Sequence, residues 1–228
     1  MDTRPIIYVV CSDRHRNGKT LLARVLVDYL MLDGRDPFVI DADPPEGPLR
    51  GFFPGRTVLV DFDQMQGRVK LFDTILDSPG RDYVIDLPAA QTGPFFQALR
   101  ELDFVGAAHA KGFRIVVLFI VDRSAGSARA AEDIRLDAGT DLVVDVGNVF
   151  VGSGAGKDEN RAGFVMPVLA HEAAAFIAGK RFSLRSFLLG EEQGLAPGLV
   201  MPLKSFLYEV MTGLREIEPA LSAARLRT

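Results

Sequence analysis

The sequence predicts an α/β fold: a doubly wound, mostly parallel sheet with helices on both faces. Three observations carry this. Strand-length apolar runs alternate with segments whose apolar residues recur at helical spacing along the 228 residues. The runs, such as Ile6-Ile7-Tyr8-Val9-Val10, are apolar throughout rather than alternating, as in strands covered on both faces. Several runs also end in an acidic residue and a turn. At 48% apolar, the chain is long enough for one domain with one sizeable core, taken as residues 1–228.

Each element follows from local chemistry. Residues 6–10 form a buried strand. Residues 19–33 form a helix, with Leu22, Val25, Leu26, Tyr29 and Leu30 on one side and Asp33-Gly34 as its stop. Strands follow at 38–40, 57–60 and 83–85, with a helix over 69–76 closed by Ser78-Pro79-Gly80. Residues 92–110 read as mostly helical, and 113–121 as the strongest strand. Then come a helix at 127–136, a strand within 142–151 and a glycine-rich charged loop or short helix over 152–163. A last strand at 165–169 precedes helix over 171–189 and a turn at 190–198. A C-terminal amphipathic helix is expected over 202–217, with Phe206, Val210, Leu214 and Ile217 on one stripe, and a frayed end beyond Pro219. That stripe suits core packing better than a partner surface.

Composition narrows the function classes. Net charge is −4, so no global basic field recruits nucleic acid or an anionic membrane. DNA binding stays possible only through a small patch at Lys180, Arg181, Arg185 and Lys204, where a solvated helix face is the simpler reading. The single cysteine, Cys11, excludes an internal disulfide and a cysteine-rich metal site, and fits a reducing compartment. Met1-Asp2-Thr3-Arg4-Pro5 lacks the pattern of a secretory leader, and no apolar run approaches the ~20 residues of a membrane span. A cytoplasmic location is therefore expected. His109 and His171 have no metal-ligand spacing.

The chemistry gathers after the first strand. Cys11-Ser12-Asp13-Arg14-His15-Arg16-Asn17-Gly18-Lys19-Thr20 runs into an amphipathic helix. Gly18-Lys19-Thr20 at a loop–helix junction is the second half of a P-loop. There, backbone N–H groups from Asn17 to Leu21 can wrap phosphate, Lys19 neutralises it and the Thr20 hydroxyl binds Mg²⁺. The first half departs from the pattern, with Asp13 where a glycine is wanted. Ligands of doubly wound sheets bind beyond the carboxyl ends of the strands. Asp41/Asp43, Asp61/Asp63, Asp86 and Asp122 all fall at such ends. Asp61, Asp63 and Asp122 suit turns and helix caps. Asp43 and Asp86 suit function, Asp86 as a carboxylate holding Mg²⁺ directly or through water.

With Asp41-Ala42-Asp43-Pro44 and Asp82-Tyr83-Val84-Ile85-Asp86-Leu87-Pro88 in place, the chain resembles the ParA/MinD group of P-loop ATPases over most of residues 5–150. Arg14 stands where that family carries its signature lysine, and His15 and Arg16 stand where it carries two glycines. The resemblance implies ATP/ADP and Mg²⁺ as cofactors and assigns roles. Lys19 contacts the β- and γ-phosphates. Thr20 and Asp86 hold the metal, with Asp41 supporting it. Asp43 orients the attacking water, and Arg14 reaches a second protomer's phosphates in a nucleotide-dependent homodimer. Asn148 matches in placement the asparagine that reads adenine. Turnover is expected to be slow without an activating protein. Residues 181–187 and the 152–157 loop also faintly resemble ParA-like proteins of plasmid mobilisation and conjugal transfer.

Two alternatives stay open. One is a nucleotide-binding scaffold that has lost catalysis. The other is an ATP-dependent enzyme of dethiobiotin-synthetase or kinase type, with an acceptor pocket built by Asp43, Asp86 and the 152–164 loop. A side chain at φ > 0 costs roughly 1–2 kcal/mol where the family has glycine. Each charge-assisted phosphate contact contributes roughly 1.5–3 kcal/mol. The basic Arg14-His15-Arg16 therefore favours binding, while hydrolysis needs tighter geometry.

Overall fold

A computed structural model describes residues 4–45, 47–149, 163–179, 182–191 and 194–225. Seven strands form one sheet: β1 (Ile6–Cys11), β2 (Phe38–Asp41), β3 (Thr57–Leu59), β4 (Tyr83–Asp86), β5 (Arg114–Val121), β6 (Leu142–Asn148) and β7 (Gly163–Met166). Their order is β3-β2-β4-β1-β5-β6-β7 and every pairing is parallel. The glycine-rich 152–163 segment lies outside the described residues, save Gly163, which opens β7.

β1 shows why both faces must be covered. Ile6, Tyr8 and Val10 pack into one core with α1 (Lys19–Leu32), α6 (His171–Ala178), α7 (Leu184–Leu188), α8 (Pro197–Arg215) and α9 (Ile217–Arg225). Ile7, Val9 and Cys11 enter the other core with α2 (Met65–Leu76), α3 (Ala89–Glu101), α4 (Phe104–Ala110) and α5 (Ala125–Asp137). Period-two side-chain alternation in a two-sided sheet demands apolar residues at every strand position. The expected doubly wound sheet is thus present.

The helices differ from expectation in instructive ways. The predicted helix over 92–110 breaks at Asp103, which takes a left-handed φ of 46°. The break turns Phe104 inward to stack on Phe72, ring centroids 4.2 Å apart. The helix over 171–189 also breaks. Gly179 is extended at the end of α6, and the Ser183 hydroxyl caps α7 by accepting from Ser186 N at 3.1 Å. Buried Arg24 donates to the carbonyls of Ile177, at 2.5 Å, and Phe182 across this break. The expected frayed end is instead α9, with Ile217 and Leu221 buried and Glu218 paired to Arg35 at 2.6 Å. The stripe Phe206, Val210, Leu214 and Ile217 is buried in the core.

α8 lies close against β7. A Cβ added at Gly213 would come within 2.3–2.6 Å of Phe164 ring and Cβ atoms. In an open helix, Gly→Ala stabilises by about 1 kcal/mol. Here overpacking of roughly 1–3 kcal/mol outweighs it. Gly213→Ala should therefore lower the thermal midpoint by several degrees. A raised midpoint would show that α8 can move away from β7 freely.

Candidate functional site

The carboxyl ends of β1, β2 and β4 open onto a cleft of about 550 Å³. Register explains the convergence: Val10 pairs with Asp86, and Asp41 pairs with Asp86 on the other side of β4. The end of β1 therefore lies beside two acidic strand ends. The loop then climbs from Ser12 to Gly18, and α1 starts at Lys19. Gly18, at φ 95°, makes the left-handed turn into the helix without a side-chain cap. A Cβ there would stand 3.0 Å from both Asn148 Nδ2 and Met166 Cε. The uncapped first turn leaves its N–H groups facing the cleft, a ready anion site.

Side chains hold the loop where glycines do not. Ser12 is fully buried, and its hydroxyl accepts from Arg14 N at 2.9 Å and from Asn17 Nδ2. Asn17 Oδ1 accepts from Lys19 Nζ at 3.2 Å, and Lys19 also donates to the Arg14 carbonyl at 2.6 Å. From α3, the Thr92 hydroxyl donates to the Ser12 carbonyl at 2.9 Å. Asp13 accepts from the Ser127 hydroxyl at 2.9 Å, tying the loop to α5. Asn148 Nδ2 donates to the Asn17 carbonyl at 2.7 Å, so Asn148 braces the loop from the end of β6. Ser12, Thr92 and Ser127 carry no motif signal; only the fold brings them to the loop.

Thr20 and Asp86 meet directly. The Thr20 hydroxyl donates to Asp86 Oδ2 at 2.7 Å. The other oxygen, Oδ1, is buried and has no hydrogen-bond partner among the described residues. Burial pushes the Asp86 carboxyl up to about 7, against the opposing pull of the Thr20 hydroxyl. Burial also pulls the Lys19 ammonium down, an effect that Asp86 offsets in part. An orphaned carboxylate oxygen beside a hydroxyl fits an oxygen-seeking cation such as Mg²⁺. Thr20 and Asp86 would hold it, and the ion would neutralise phosphate charge. Because the ligand must be ionised, metal affinity at this pair would rise as pH rises through about 7.

The other expected residues divide. Asp43 is exposed on the cleft wall. Asp41 is fully buried and does not line the cleft; its oxygens accept from Asp43 N at 3.1 Å and Leu49 N at 2.8 Å. It fixes the backbone that presents Asp43. Arg14 is half-exposed and turned to α5, with its Nε 3.2 Å from Asp122 and 3.5 Å from Asp13, and its Nη2 3.3 Å from the Ser124 hydroxyl. Arg16 adopts φ 54°, the left-handed region, and lines the cleft; Leu21 lines it too. Asp122 and Asp61 accept from backbone N–H groups two residues on, at 2.7 and 3.0 Å, as turn formers do. His109 pairs with Asp141 at 2.9 Å, away from the cleft.

Lys180 and Arg181 of the basic patch lie outside the described residues, and Lys204 Nζ sits 6.0 Å over the Phe187 ring. Among the described residues no helix is long and apolar enough to cross a membrane, and no cluster of three or more His, Cys, Asp or Glu could hold a metal. No family model and no curated protein matches the chain.

The raised Asp86 carboxyl has a consequence for stability. Its folded value, about 7, lies above the usual 3.8, so folding takes up a proton between them. That contribution is complete below about pH 4 and is lost as pH rises through 7. Asp86→Asn removes the dependence. The variant should be more stable than the parent at pH 8, by roughly 1–4 kcal/mol, with the gap closing towards pH 4. Parallel melting profiles across pH would contradict a buried, strained carboxylate.

Proposed function

We propose that this chain is an Mg-ATP-binding P-loop ATPase that acts as a switch of the ParA/MinD type. One observation carries the reading: Lys19 and Thr20 open α1 against Asp86, whose second oxygen is buried without a partner. Lys19, Thr20 and Asp86 line one cleft at the carboxyl end of the sheet, which supports a phosphate site there. The first-turn N–H groups and Lys19 bind phosphate oxygens, with Lys19 exchanging the Arg14 carbonyl and Asn17 amide for them. Thr20 and Asp86 would hold Mg²⁺, which would supply charge neutralisation at the phosphates. Asp43 orients a water for in-line attack. An exposed carboxylate is a poor base, so turnover is slow until an activating protein excludes water from the cleft. In a nucleotide-dependent homodimer, Arg14 would exchange Asp13 and Asp122 for a partner's phosphate.

A second reading, a nucleotide-binding module without hydrolysis, is favoured by one feature. In this structure the loop's two catalytic candidates, Lys19 and Arg14, already have partners in their own chain.

Calorimetry with Mg-ATP and Mg-ADP, followed by phosphate release, separates these. The parent protein should bind both nucleotides and release phosphate slowly, and Lys19→Ala should abolish binding. Asp43→Ala should keep binding and lose turnover by about 10²-fold or more. Binding with no release, even with candidate activators, leaves the module; no binding refutes both.

A further inference from the structure

The loop carries two arginines two residues apart, and their surroundings differ. Arg14 is compensated: Asp13, Asp122 and the Ser124 hydroxyl surround its guanidinium on the α5 side. Arg16 is not. Among the described residues it has no hydrogen bond or ion pair, and it lines the cleft with Lys19, Thr20, Asp43 and Asp86. It also holds a left-handed backbone, φ 54°, that glycine would occupy without strain. Strain of this kind persists where surrounding structure enforces it, and it gathers at ligand sites. Here the enforcement is visible, since Ser12, Asn17 and Lys19 lock the loop on either side of Arg16.

The charge balance of the cleft points the same way. Buried Lys19 feels three carboxylates, Asp86, Asp13 and Asp43, before any ligand arrives. A metal-bound polyphosphate still carries net negative charge, and a planar guanidinium pairs two of its oxygens at once. Resting on the nucleotide reading, we infer that Arg16 is the guanidinium that the protomer's own loop supplies to its bound polyphosphate, a contact separate from the one proposed for Arg14 across the dimer. The strained position that would suit glycine is then kept for the side chain it presents.

Arg16→Gly makes the test unusually clean, because strain and contact predict opposite signs. Its melting midpoint should equal or exceed the parent's, while its affinity for Mg-ATP falls about tenfold or more. Arg16→Lys, which keeps charge but not the fork, should lose less than Arg16→Gly. Arg100→Ala, an equal charge change on exposed α3, should bind as the parent does. Mixing Arg16→Gly with Lys19→Ala protein, whose loop retains Arg16, should restore nothing; recovery would place the contact in trans and overturn the assignment. Parent-like affinity in Arg16→Gly would overturn it too while leaving the nucleotide reading intact. If the parent itself binds no Mg-ATP, both fall.

Discussion

A carboxylate buried at the end of β4 faces the hydroxyl that opens α1, and the site is organised by that contact. Asp86 can be buried there because β4 lies between β2 and β1 in a parallel sheet, which brings its last residue level with Val10 and Asp41. Leaving a buried oxygen unpaired costs stability, so the arrangement makes sense where a ligand will pair it. Lys19 and Thr20, adjacent in sequence, approach the carboxylate from the first turn of one helix.

The loop shows how a strand-to-helix turn can be held by side chains with a single glycine. Glycine permits close approach and φ > 0, but it leaves a flexible chain. Here Ser12, Asn17 and Lys19 bond to one another, Thr92 and Asn148 brace the loop from α3 and β6, and Asp13 ties it to α5. One glycine, Gly18, remains where the turn needs φ 95° and where a Cβ would stand 3.0 Å from the Asn148 and Met166 side-chain ends. Rigidity from side-chain bonds presets the position of Lys19, which favours binding. It also gives Lys19 partners, the Arg14 carbonyl and the Asn17 amide, that a bound phosphate would have to displace. Under the proposed function, slow exchange and slow turnover follow from that competition.

Much of this was legible from sequence, for a physical reason. Periodicity and punctuation are local, so the strand–loop–helix unit, the seven strands and the placement of Asp86 at a strand end could be read from short windows. Asp61 and Asp122 likewise declared themselves as turn formers. What failed depended on tertiary contacts. The helix over 92–110 breaks because Phe104 must reach Phe72, and the helix over 171–189 opens at a break where Arg24 takes two carbonyls. The end beyond 217 forms α9 because Ile217 and Leu221 find the core and Glu218 finds Arg35. Asp41, expected to support the metal site, accepts from the Asp43 and Leu49 N–H groups, and the Leu49 contact is one that its strand-end motif does not show. Ser12 and Thr92 are 80 residues apart and carry no signal until the sheet brings them together.

The central claim is that Thr20 and Asp86 are the metal end of a nucleotide site. A diffraction structure of the protein with a non-hydrolysable ATP analogue and Mn²⁺ in place of Mg²⁺ tests it directly. The account predicts an anomalous peak at roughly 2.0–2.2 Å from Thr20 Oγ1, with Asp86 bound to it directly or through one water. A nucleotide or metal seated elsewhere, with the 2.7 Å Thr20–Asp86 hydrogen bond intact, would contradict it.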